Sequence, residues 1–262
     1  MENKKIALVT GASSGLGRDM SKILASKGYN IIAVARNVEL LGSLKKEIED
    51  TYSDSFVDIE VTDLSNKEEV MDLYNRVKKK YKDIDILINN AGFGKCGYFI
   101  DIKLEDEISM IETNVTALHI LTKLFLKDMT KRDYGYIMNV ASIAGFMPGP
   151  LMATYYSTKS YVVKLTESVA YELKKHNSKV KVSCLCPGPV NTNFFKVADV
   201  SFSLKGADSQ TVSKYAIKKM FKNKLMIYPG LSIRAAIFFS RFVSTNFIAS
   251  ICYKLQRKKI YK

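Results

Sequence analysis

Short apolar runs alternate along this chain with longer stretches whose apolar positions recur every three or four residues. Ile6-Ala7-Leu8-Val9 reads as a strand buried on both faces, and residues 15–28 as a helix that stops at Gly28. Ile31-Ile32-Ala33-Val34 is a second strand before a helix over 38–50, and 56–61 a third before a helix over 66–81. A fourth strand, Ile84-Asp85-Ile86-Leu87-Ile88, precedes a long helix over 104–131, where Ile108, Ile111, Val115, Leu118 and Leu121 keep helical spacing. The fifth strand is 136–140, followed by a helix over 154–175. The sixth is 180–185, followed by a helix over 209–222 and a short seventh strand over 225–228. Strands that alternate with helices in this way predict an α/β fold, a doubly wound parallel sheet of seven strands flanked by helices.

No composition break interrupts residues 1–230 and no internal repeat occurs, so that stretch is expected to form one domain. Residues 231–262 read as a basic, amphipathic helical extension, with helices over 232–243 and 246–257 and Asn246 as the cap of the second. Charge sharpens this division. The net charge is +14, yet no Asp or Glu follows Asp208, while twelve Lys and Arg do. The first 208 residues therefore set 28 basic residues against all 26 acidic ones and are close to neutral. A hydrophobic content of 47% supplies a large core and excludes a disordered chain. Cys96, Cys184, Cys186 and Cys252 lack C-x-x-C spacing and partner histidines, which predicts reduced, buried thiols and no metal site. The first strand starts so close to Met1 that no secretory h-region or transit peptide is expected before it, which favours the cytoplasm.

Two motifs carry the chemistry. Thr10-Gly11-Ala12-Ser13-Ser14-Gly15-Leu16-Gly17 follows the first strand and opens the first helix. Its glycines permit a tight turn and close backbone approach, with the helix N-terminus facing a dinucleotide pyrophosphate. An acid at the end of the second strand would select NAD, but the chain reads Ala33-Val34-Ala35-Arg36-Asn37. Arg36 suits a 2′-phosphate instead, so NADP(H) is the expected cofactor. Far downstream, Tyr155-x-x-x-Lys159 puts a phenol and an ammonium on one helix face, where the ammonium is expected to lower the phenol's pKa. Ser142, just past the fifth strand, is placed to hydrogen-bond a substrate carbonyl, and Asn114 to hold a water linking Lys159 to solvent. Tyr156 is expected to point away from the site, and His119 and His176 to be structural.

These residues resemble those of the short-chain dehydrogenase/reductases of the main, single-domain branch. The likeness rests on Thr10-Gly11-x-x-x-Gly15-x-Gly17, Asp63, Asn89-Asn90-Ala91-Gly92, Asn114, Ser142, Tyr155-x-x-x-Lys159 and Pro187-Gly188-Pro189-Val190-Asn191-Thr192, in family order over residues 5–195. The resemblance implies a Rossmann fold and an NADP-dependent enzyme interconverting a ketone and a secondary alcohol. It implies that Gly11, Ser13, Ser14, Gly15, Leu16 and Gly17 hold the pyrophosphate end and that Arg36, Asp63 and Leu64 lie around the adenosine. Asn90, Ala91 and Gly92 would line the adenosine ribose, and Pro187, Gly188, Val190 and Thr192 would cover the nicotinamide. Tyr155 would be the acid-base, Ser142 its partner, and Lys159 the holder of the nicotinamide ribose. Ser14 stands at a position often basic in NADP users, which leaves the 2′-phosphate mainly to Arg36. Family members are usually dimers or tetramers through the helices at 104–131 and 154–175, so a homodimer or homotetramer is expected. A catalytically silent NADP-binding regulatory or scaffold protein is the alternative, and the intact Asn114, Ser142, Tyr155 and Lys159 speak against it.

Phe194, Phe195 and Phe202, with Met147, Pro148, Leu151 and Met152, suggest a small apolar carbonyl or alcohol substrate. The run Ser142-Ile143-Ala144-Gly145 through Pro148-Gly149-Pro150-Leu151 resembles the 3-ketoacyl-CoA and 17-ketosteroid reductases. The C-terminal helices are expected either to cap the substrate site or a subunit interface, or to rest peripherally on the anionic inner membrane surface. Arg234 and Arg241 interrupt the long apolar stretch and argue against a span. No nucleic-acid motif is present.

Overall fold

The apolar runs find partners on both sides. In the computed structural model, which describes residues 4–192 and 206–260, they build one sheet from β1 (Ile6–Thr10), β2 (Asn30–Ala35), β3 (Val57–Val61), β4 (Ile86–Asn89), β5 (Tyr136–Val140), β6 (Lys181–Leu185) and β7 (Met226–Ile227). The strand order is β3-β2-β1-β4-β5-β6-β7, and every neighbouring pair is parallel. This is the doubly wound Rossmann sheet that the alternating pattern predicts. The helices are α1 (Gly15–Ala25), α2 (Val38–Thr51), α3 (Lys67–Lys80), α4 (Leu104–Ile111), α5 (Leu118–Lys131), α6 (Ala153–Lys175), α7 (Ser209–Met220), α8 (Leu231–Phe239) and α9 (Thr245–Ile260).

Successive residues of each strand face opposite sides, so each central strand feeds two cores. Ala7, Val9, Ile31 and Ala33 pack with Met20 and Leu24 of α1, Leu41, Leu44 and Ile48 of α2, and Ala216, Ile217 and Met220 of α7. Leu8, Ile32, Leu87 and Ile137 face the other way, against Val70, Leu73 and Val77 of α3, Leu121, Phe125 and Met129 of α5, and Leu173 of α6. Each fully buried Leu or Ile contributes about 1.5–3 kcal/mol. Polar caps fix where helices begin. Asn37 accepts from Leu40 N at 2.8 Å, Asn66 from Glu68 N at 3.0 Å, and Asp208 from Thr211 N at 2.7 Å.

The sequence places the crevice as well. After β1 the chain winds outward through β2 and β3, then crosses back to place β4 on the other flank of β1. The loops leaving β1 and β4 therefore part at the carboxyl ends of the strands, which opens a cleft at that switch point.

Three element boundaries differ from the sequence reading. The long helix is not uniformly α: residues Glu112–Ala117 form a π-helical turn between α4 and α5, and Asn114 sits in it. The first helix ends at Ala25, with Gly28 in a turn at φ +81°. The last helix starts at Thr245, and Ser244 Oγ, not Asn246, accepts the early N–H, from Phe247 at 3.4 Å.

Candidate active site

The cleft at the switch point holds a cavity of about 450 Å³. Of the residues singled out in the sequence, all except Gly17 and Asn114 line it. Its first end is made largely of backbone. Gly11 and Gly15 take φ of +64° and +54°, conformations that L side chains rarely adopt. Ser14 stands at the N-cap of α1 without a side-chain cap bond, and the first turn carries no acid. The helix thus presents its N–H groups and the positive end of its dipole to the cavity, a donor set that suits phosphate. Thr10 locks this loop to β4. Its Oγ1 accepts from Asn90 N and Ala91 N, both at 3.0 Å, and Asn90 Nδ2 donates to Thr10 O at 3.0 Å. Gly17 lies behind the loop, where a Cβ would run into the Gly11 carbonyl and Asn90 Nδ2. It works by packing.

At the end of β2, Arg36 is largely exposed and its Nη1 lies 3.9 Å from Asp63 Oδ2. Burial pushes the Asp63 carboxyl up, but hydrogen bonds from Ser65 and the Arg36 charge outweigh it and hold the group below its ordinary value. Arg36 and a carboxylate thus share the region where the sequence places the adenosine.

The catalytic group gathers at the other end from three elements. Ser142 follows β5 and opens a 3-10 turn, accepting from Ala144 N at 3.1 Å. Its hydroxyl also hydrogen-bonds the phenol of Tyr155, in the first turns of α6. Lys159 lies one turn further, with Nζ 5.9 Å from the Tyr155 ring centroid and donating to Val140 O at 2.9 Å. Burial pushes Tyr155 up to about 12, with the Ser142 bond pulling the other way. Burial also lowers Lys159 to about 8, opposed by the thiol groups of Cys184 and Cys186. The spacing alone leads one to expect a phenol below its ordinary value. In the structure desolvation wins, because the ammonium is turned toward a backbone carbonyl and both groups lie in the interior.

Asn114 also departs from expectation. Its Oδ1 accepts from Phe93 N at 3.0 Å, and its Nδ2 donates to Phe93 O at 2.9 Å and Thr158 Oγ1 at 3.2 Å. The side chain therefore clamps the loop after β4 to α6 rather than facing a water. Gly92 makes this possible: a Cβ there would come within 2.9 Å of Asn114 Oδ1 and 3.2 Å of Lys159 Nζ.

Tyr156 is not directed out of the site. It lines the same cavity, with its ring centroid 6.1 Å from that of Tyr155. Its hydroxyl accepts from Nε2 of Gln256 at 2.8 Å, and Gln256, buried on α9, lines the cavity too. Gln256 carries no motif, so sequence inspection has no means of finding it. A second layer also escaped the motif reading. Asn89 Nδ2 donates to Thr122 Oγ1 and Asn139 Oδ1, both at 2.9 Å, and Asn139 Nδ2 donates to Thr166 Oγ1 at 3.0 Å. This buried network ties β4, β5, α5 and α6 together beneath the catalytic group. Asn139, a polar residue inside an apolar strand, was its one visible signal. The phenylalanines at 194, 195 and 202 lie outside the described residues. His119 Nδ1 meets Tyr161 Oη at 2.7 Å between α5 and α6, away from the cavity lining. Among the described residues no cluster of three or more His, Cys, Asp or Glu is placed to hold a metal.

Comparison with known proteins adds three findings. Residues 5–200 match the short chain dehydrogenase family. The chain is 33% identical over 201 residues to dehydrogenase/reductase SDR family member 11 of Gallus gallus, covering 74% of this chain and 78% of that one. It is 33% identical over 189 residues to the 3-oxoacyl-[acyl-carrier-protein] reductase FabG of Rickettsia prowazekii, covering 72% and 74%. Among solved structures, a short-chain dehydrogenase from Sphingobium yanoikuyae in complex with NADPH superposes with a TM-score of 0.82 at 26% identity, over 91% of this chain and 94% of that one.

Proposed function

The chain belongs to the short-chain dehydrogenase/reductase family, and from that premise we propose that it interconverts a ketone and a secondary alcohol on an apolar, acyl-, lipid- or steroid-like substrate with NADP(H). The observation that carries this reading is the meeting of Ser142, Tyr155 and Lys159 at one end of a cavity whose other end is glycine backbone. The residues present fit a dinucleotide. The turn from Gly11 to Leu16 offers uncapped helix N–H groups for the pyrophosphate, and Asn90, Ala91 and Gly92 close the wall beside it. Asp63 and Leu64 flank the adenosine, and Pro187, Gly188, Val190 and Thr192 cover the nicotinamide. NADP(H) supplies the hydride in reduction and accepts it in oxidation.

The chain's own residues do the rest. Ser142 donates a hydrogen bond to the substrate carbonyl oxygen and holds it beside the phenol. Tyr155 gives that oxygen its proton as the alcohol forms. The phenolate left behind is stabilised by the Ser142 hydroxyl and by the Lys159 ammonium. Asn114 acts as a positioning residue, setting α6 against the loop after β4.

NADP is favoured over NAD by Arg36 and by the absence of an acid at the end of β2. The NADPH in the Sphingobium relative supports the same choice, while the Asp63 carboxylate competes for Arg36. An apolar substrate is favoured by Ile143, Met152, Tyr156 and Pro189 in the cavity wall, and by the likeness to a 3-oxoacyl reductase. Residues 1–230 serve as the catalytic domain and 231–262 as an extension whose last helix closes the substrate end. Exposed Ile108, Ile111, Tyr161 and Tyr171 on the family's usual pairing helices fit a homodimer or homotetramer.

NADPH consumption across 3-ketoacyl thioesters, ketosteroids and small ketones tests the reading, with Tyr155→Phe in parallel. Turnover that the substitution abolishes is the expected result. NADPH binding without turnover on any carbonyl would identify a silent binder instead.

A further inference from the structure

Helices α8 and α9 expose more apolar surface than their docking on the body requires. On α8, Ile237 is buried and Ile233 approaches Gly188, which a Cβ would bring within 3.1 Å. The opposite side carries Phe238, Phe239 and, just beyond the helix, Phe242, exposed by 53%, 64% and 75%. Their rings contact one another, Phe238 lying 5.5 Å from Phe239 and 5.4 Å from Phe242 between centroids. Helix α9 is apolar on two sides. Cys252 and Gln256 point inward over the cavity, and Tyr253 Oη meets Tyr98 Oη at 2.9 Å. Phe247, Ile251 and Leu255, each one turn apart, point outward and are exposed. The single apolar face expected over 247–255 is therefore split, half spent on the body and half left outside.

We propose that this outer face docks on an anionic lipid surface. Contiguous exposed apolar side chains mark an interaction site, and charge identifies the partner. From residue 209 onward the chain has twelve basic residues and no acid, and Arg234, Arg241, Lys254 and Arg257 are exposed along the same two helices. Aromatic and aliphatic side chains with Lys and Arg beside them suit the headgroup boundary of an anionic bilayer, where long cationic side chains keep their charge in water. A second copy of this chain fits poorly, because a symmetric contact would set two acid-free surfaces against each other. The contact is peripheral: no helix among the described residues is long and apolar enough to cross a membrane. Because the inner side of α9 lines the substrate end of the cavity, docking would bring that end close to the lipid. The binding inference itself does not depend on the reaction proposed above.

Co-sedimentation of the full chain with vesicles of equimolar phosphatidylglycerol and phosphatidylcholine, and with phosphatidylcholine alone, tests it. The protein is expected to pellet with the anionic vesicles, progressively less as salt is raised, and to stay in solution with the neutral ones. Arg234→Gln with Arg241→Gln is expected to weaken partitioning about 30-fold. Phe238→Ser, Phe239→Ser and Phe242→Ser together should weaken it on the order of a thousandfold, with NADPH affinity retained as the check on folding. No pelleting with anionic vesicles, or equal pelleting with neutral ones, overturns the proposal. So does an oligomer in light scattering that the triple Phe variant dissociates, since the face would then be a subunit interface.

Discussion

At the cofactor end of the cavity the wall is mostly main chain: Gly11 and Gly15 at positive φ, and Asn90 to Gly92, drawn together by hydrogen bonds to Thr10. At the substrate end the wall is mostly side chain: Ser142 from a 3-10 turn, Tyr155 and Tyr156 from α6, and Gln256 from a helix a hundred residues further on. The first end rests on what each short segment can do by itself. The second rests on distant segments arriving at one place, so its chemistry depends on burial set by the whole fold. Tyr155 shows the consequence, since its environment pushes it up to about 12 although a lysine stands one turn away.

Substitutions that strike one end and spare the other sharpen this contrast. Tyr155→Phe removes the proton donor and is expected to lower turnover by about a thousandfold. Fluorescence titration should show NADPH affinity unchanged, and a parallel loss of binding would mean that the two ends are not separable. Gly17→Ala is the converse. Its Cβ would collide with the Gly11 carbonyl and Asn90, so NADPH affinity should drop about a hundredfold through overpacking. Arg36→Glu is expected to weaken NADPH by about 10- to 100-fold, the worth of a charge-assisted bond, while leaving NADH binding intact. Equal losses for both cofactors would remove Arg36 as the selector.

The pH dependence links the two ends through Lys159. Burial lowers this lysine to about 8, so it loses its charge as pH rises through that value. If its charged form holds the cofactor ribose, NADPH affinity should fall above that point by about tenfold per pH unit, and Lys159→Met should flatten the profile. The cofactor-free protein should behave oppositely. Its folded state disfavours the charged amine, so the unfolded chain binds more protons between about 8 and the ordinary lysine value of 10.5. Lys159 therefore makes stability rise with pH across that window, which denaturant titration can read. The smallest effect belongs to Gln256→Ala. It removes one hydrogen bond to Tyr156 and should raise substrate KM about fivefold, with no change in NADPH affinity.

The amino-acid sequence determined the strand and helix order, the doubly wound sheet, the glycine turn and the Tyr155/Lys159 pair. Each of these follows from local periodicity, from a conformation that glycine permits, or from the pitch of a helix. The acid-free segment after Asp208 was equally legible, since charge can be counted without a fold. Only the tertiary structure decided that Asn114 is a clamp within a π turn, that Tyr156 faces the cavity, and that Gln256 reaches it. It alone split the apolar positions of α9 between an inner and an outer face. The physical reason is the same in each case. Hydrogen-bond partners and solvent exposure are set by which distant segments pack together, and a side chain's chemistry follows from those neighbours.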